Sequence, residues 1–144
     1  MTFTQWLEAK SNWVEIDSLP PDVIEDIVSN LIDHVPALNG ETAEFVRDNL
    51  VGLVSPIKLQ LKSVPTQSLY RQFGKRRVSK LAVNKLSTLM TGGVSLHPVL
   101  VDGDRFVDGG HRVAAHMQNN IELISVVDIG PLLHMDWEKW LAGS

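Results

Sequence analysis

Apolar residues recur at helical spacing at Val23, Ile24, Ile27, Val28, Leu31, Ile32 and Val35, a stripe that predicts an amphipathic helix. Asp17 or Ser18 is placed to cap it. Pro20 and Pro21 suit its first turn, and Asp22, Glu25 and Asp26 meet the positive end of its dipole. Pro36 stops it. A second helix is expected to start near residues 39–41, with Phe45, Val46, Leu50 and Leu53 on one face and Gly52 and Ser55-Pro56 at its end. Trp6 and Leu7 suit an earlier short helix.

The period then changes. Ile57, Leu59 and Leu61 alternate with Lys58, Gln60 and Lys62, which predicts a strand with one wet face, ended by Pro65. The segment 70–80, YRQFGKRRVSK, reads as the start of a basic loop. Val78, Leu81, Ala82, Leu86, Leu89 and Met90 form the next helical stripe, closed by Gly92-Gly93. Pro98-Val99-Leu100-Val101 is a short apolar strand, Asp102-Gly103 a hairpin signal, and Arg105-Phe106-Val107 the returning strand. Asp108-Gly109-Gly110-His111-Arg112 opens a helix that carries Val113, Ala114, Ala115 and Met117 and ends at Asn119-Asn120. Residues 123–127 make the last strong strand. Gly130-Pro131 breaks it, and Trp137, Trp140 and Leu141 predict a short helix docking on the body.

This alternation of helices and strands places the chain in the α+β class. Its 144 residues suffice for one domain with a real core. There is no Cys, which excludes disulfides, zinc–thiolate sites and Cys nucleophiles. The apolar runs are too short to span a membrane. MTFTQWLEAK lacks the basic start and apolar stretch of a signal peptide, so a cytoplasmic location and no membrane partner are expected. The net charge of -4 conceals an asymmetry: residues 1–55 hold ten acids and two bases, residues 56–85 eight bases and no acid, and residues 86–144 three bases and seven acids. The acidic third either folds against the basic middle and neutralises it, or leaves an anion-binding face. Arg71, Lys75, Arg76, Arg77 and Lys80 are the patch that would meet nucleic-acid phosphates, complete a phosphate site or pair with the acidic helices.

The segment with chemistry is Asp108 to Arg112. A strand runs through two glycines into a helix, whose first N–H groups and dipole favour an anion. Gly109 and Gly110 allow close backbone approach. Arg112 suits a forked bond to phosphate. His111 suits a proton donor or carrier, and Asp108 a base or a divalent-metal ligand. Asp102 and Asp104 resemble a metal pair but sit where acids serve turn geometry. His34, His116 and His134 lack ligand spacing.

The order of these elements resembles the ParB/sulfiredoxin superfamily. The residues that carry it are Leu96-His97-Pro98-Val99-Leu100-Val101, then Arg105 through Ala115, then Ile121 and the closing strand. The resemblance runs from Ile57 to Ile129, about half of the chain. It implies a small mixed sheet with surrounding helices, and three segments: a helical N-terminal extension (1–55), a ParB/sulfiredoxin-like core (56–130) and a docking C-terminal helix (131–144). It also implies a nucleotide partner, with Gly109, Gly110, His111 and Arg112 on the phosphates. Asp108 and His111 are then the catalytic candidates, and Asp108 holds Mg²⁺ with ATP or another nucleotide. Sulfiredoxins place a Cys where Gly110 stands, so sulfinic acid reduction is excluded. The free-serine kinases of this fold carry Asp-Gly-His-His-Arg, the version nearest to this turn. The expected function is phosphoryl transfer or nucleotide hydrolysis. The alternative is a non-enzymatic DNA- or protein-binding accessory module of phage or plasmid type.

Overall fold

A computed structural model describes residues 13–53, 57–73 and 78–142. The expected short helix at Trp6 and Leu7 lies outside the described residues. The strands are β1 (Trp13–Glu15), β2 (Lys58–Pro65), β3 (Val99–Asp102), β4 (Arg105–Asp108) and β5 (Leu123–Asp128). The α-helices among the described residues are α1 (Pro21–His34), α2 (Ala43–Asp48), α3 (Thr66–Phe73), α4 (Lys80–Thr91), α5 (Gly110–Gln118), α6 (Gly130–Leu133) and α7 (Trp137–Ala142). The five strands form one sheet in the order β1-β2-β5-β3-β4. β5 pairs antiparallel with β2, with Ser63 opposite Ser125, and parallel with β3, with Val99 opposite Val126. The sheet is therefore mixed, and the chain is α+β.

Alternation along the strands gives the sheet two apolar faces. Leu59, Leu61, Leu100 and Val127 point to one side, where Ile16, Val23, Ile27, Val28, Leu31, Val46, Leu50, Leu132 and Trp137 pack on them. Val99, Val101, Ile124 and Val126 point to the other, against Leu69 of α3 and Val113 of α5. The described part of the N-terminal segment thus shares its core with the sheet. It is not wholly helical, because Trp13–Glu15 pairs with β2 at the sheet edge.

Four local expectations are corrected. Neither Asp17 nor Ser18 caps α1. Pro20 occupies the cap position, and the Ser18 hydroxyl donates to the Glu15 carbonyl instead. The second helix starts later, at Ala43, where the Thr42 side chain accepts from the Phe45 N–H, and it runs into a π-type turn over Asn49–Leu53. Residues 70–73, read as loop, are the last turn of α3. The expected inner stripe of α4 is turned part-way outward: Leu81 and Leu89 are exposed, Ala82, Leu86 and Met90 are half-buried, and Val83 and Ser87 are buried. No helix among the described residues is long and apolar enough to cross a membrane.

Candidate functional site

The turn from β4 into α5 is built as the sequence predicts. Gly109 is the N-cap of α5 with φ +116°, a left-handed conformation that L side chains avoid. A Cβ there would also lie 3.0 Å from a Val99 methyl, so backbone and packing both demand glycine. The Val113 N–H donates to the Gly109 carbonyl and starts the helical ladder. The N–H groups before it have no acceptor within the helix.

The side chains around this turn are engaged from within the protein. Asp108 Oδ1 accepts from the Gly109 N–H at 2.8 Å, and its Oδ2 accepts from Asn30 Nδ2 at 2.8 Å. Asn30 is a buried residue of α1, and the same amide nitrogen donates to the Asp26 carbonyl. Arg112, its side chain 17% exposed, donates to Asp26 Oδ2 at 3.0 Å and to the carbonyls of Pro98 at 2.6 Å and His97 at 3.3 Å. His111 Nε2 accepts from the Ser79 N–H at 3.0 Å, which places the ring proton on Nδ1 when the ring is neutral. His97 Nε2 lies 3.5 Å from Asp22 Oδ2.

Asp22, Asp26, His97 and residues 108–112 line one cleft of about 480 Å³, formed by the start of α5, the N-terminal half of α1, the C-terminal half of α4 and the loop before β3. Leu86, Leu89, Val94 and Leu96 give it an apolar wall. Asp22, Asp26 and Asp108 set three carboxylates against the single guanidinium of Arg112. All of Asp108, Gly109, Gly110, His111 and Arg112 therefore converge.

The sequence reading missed Asp22, Asp26 and Asn30 as site residues. They recur every four residues, which places them along one ridge of α1, and that spacing was the available signal. Arg71 and Lys80 are exposed and do not line the cleft. Lys75, Arg76 and Arg77 lie outside the described residues. Asp102 Oδ2 sits 2.7 Å from His134 Nε2, and no group of three His, Asp or Glu among the described residues is arranged to hold a metal ion. His116 is half-buried and lines a separate cavity with Met90, Asn119 and Ile124, its Nδ1 bonded to the Arg112 carbonyl at 2.7 Å. Burial holds its pKa below the ordinary histidine value, although the bond to Arg112 acts in the opposite direction. Comparisons with family models, curated proteins and solved structures find no match to this chain.

Proposed function

We propose that this chain is a non-enzymatic, protein-binding module on a ParB/sulfiredoxin-like scaffold whose turn arginine is held by its own helix α1. The order β2, two helices, the β3–β4 hairpin, the glycine turn, α5 and β5 supports the scaffold. The observation that carries the function is the Arg112–Asp26 ion pair at 3.0 Å. The guanidinium that would grip a phosphate is already neutralised through Nη2, and its Nη1 serves the two carbonyls before β3.

A polyphosphate entering this cleft would have to displace Asp26 and then sit beside Asp22 and Asp108. Like charges at such range repel by several kcal/mol when partly desolvated, about 4 at 4 Å near a protein surface. Asp108 is held in place by one N–H donor on each oxygen, from Asn30 and from Gly109. The apolar wall and the exposed Leu81, Leu89 and Val94 beside it suit a protein surface better than a polyanion.

A second reading, a nucleotide-dependent phosphotransferase or hydrolase, keeps one supporting observation: the first N–H groups of α5 are free of helical acceptors and open on the cleft. Thermal melts with ATP, ADP, CTP and GTP, with and without Mg²⁺, separate the two. A ligand at 100 times its Kd adds about 2.7 kcal/mol, which raises the Tm of a domain this size by roughly 5–10 °C. No shift is expected. A shift of that size with any of the four overturns the binding-module reading.

A further inference from the structure

We propose that α4 carries a self-association face whose occupant is a second copy of this chain. Leu81 is 77% exposed and Leu89 46%. With Lys85 midway between them, they form one ridge along the solvent side of α4. The cleft runs beside that ridge. Leu86, Leu89, Val94 and Leu96 make its apolar bank, and Asp22 and Asp26 of α1 make its acidic bank. A ridge flanking a groove fits a rotated copy of itself: under two-fold symmetry each ridge enters the other copy's groove, as helix ridges pack between helix ridges elsewhere.

The charges obey the same symmetry. Lys85 stands on the ridge, exposed, and forms no ion pair among the described residues. Asp22 stands on the groove bank with its side chain 84% exposed, facing His97 alone among the ion pairs. Rotation about a two-fold axis brings each Lys85 toward the second copy's Asp22. A wholly basic partner would meet Lys85, and a wholly acidic one would meet Asp22. A surface with the same split of sign matches both, and this chain presents that surface itself.

The inference rests on the binding-module reading but fails separately from it: nucleotide-induced stabilisation sinks that reading, and a monomeric chain sinks this one. Sedimentation of the full chain over about 0.1–500 µM spans the affinities expected of a modest interface. A concentration-dependent monomer–dimer equilibrium is expected. Leu81→Glu, at a wet position that leaves the core untouched, should raise the Kd at least about tenfold, a loss of roughly 1.4 kcal/mol. Asp22→Lys should weaken the dimer similarly, and adding Lys85→Asp should restore it to within about threefold of wild type. Three results overturn the proposal: a monomer at every concentration, a Kd indifferent to Leu81→Glu, or a double variant as weak as Asp22→Lys.

Discussion

Arg112 has partners on three sides, and its removal leaves each of them short of a donor. In Arg112→Ala the carbonyls of His97 and Pro98 and the Asp26 carboxylate lose their contacts together. Bonds to a charged group contribute about 1.5–3 kcal/mol each when shielded; with the Asp26 bond discounted because that side chain is 41% exposed, a loss of at least about 2 kcal/mol is expected. Urea unfolding measures it; a variant as stable as wild type would show that the guanidinium is idle and free for a ligand. His116 makes a second prediction, this time on pH. Its folded pKa lies below its unfolded value because burial disfavours the imidazolium. As pH falls through about 6.5 the unfolded chain takes up a proton that the folded chain refuses. Stability therefore drops on acidification, by at most about 1.4 kcal/mol per pH unit from this group, and is flat above that range. His116→Gln should lose less stability than wild type between pH 7.5 and 5.5, as read by denaturant melts at both pH values. Equal losses would refute the assignment.

At the level of elements, legibility followed the competition each segment faced. α1 was readable because every apolar residue in its stripe faces one core, from Val23 to Leu31. β2 was readable because a period of two leaves little choice of face, and β3, β4 and β5 because short apolar runs flank the Asp102-Gly103 turn and the glycine turn. The inward face of α4 is rotated from the expected one, with Leu81 and Leu89 outside it and Val83 and Ser87 at its centre. Its buried side holds Ser87, whose hydroxyl donates to Asn119 Oδ1 at 2.7 Å while the Asn119 amide donates to the Ser87 carbonyl at 3.2 Å. A hydrophobic count discards a serine, yet a small polar residue with a dedicated partner packs well against a neighbouring helix. The α1 cap failed for a related reason. Ser18 had a closer acceptor in the Glu15 carbonyl, and local side-chain bonds of this kind compete with capping. The glycine turn was legible to the residue, since two glycines after a strand admit few conformations. What closes it was not, because the contact between Asp26 and Arg112 spans 86 positions and leaves no local pattern.

For the whole molecule, the acidic first third and basic middle meet only in part. No ion pair among the described residues joins them: Asp26 pairs with Arg112 of the last segment and Glu25 with Arg47 inside the acidic third itself, whereas Arg71 and Lys80 remain exposed on α3 and at the start of α4. With a net charge of -4, the protein as a whole repels a long polyanion. Random duplex DNA is therefore expected not to bind at micromolar protein in about 50 mM salt, where phosphate contacts are strong. A gel shift there whose affinity falls with salt at a slope near four would instead assign the basic segment, Lys75 to Arg77 included, to nucleic acid. The strand order carries a consequence of another kind. β5 lies between β2 and β3, yet it is made last of the five strands, about sixty residues after β2. β3 itself precedes β5 by only about 25 residues, so at roughly 5–20 residues per second a ribosome leaves the two neighbours unjoined for about 1–5 s. Through that interval the nascent chain holds out two open strand edges and the bare faces of Leu59, Leu61 and Leu100. The yield of this protein in a cell is set by what shields those edges until β5 arrives to close the gap.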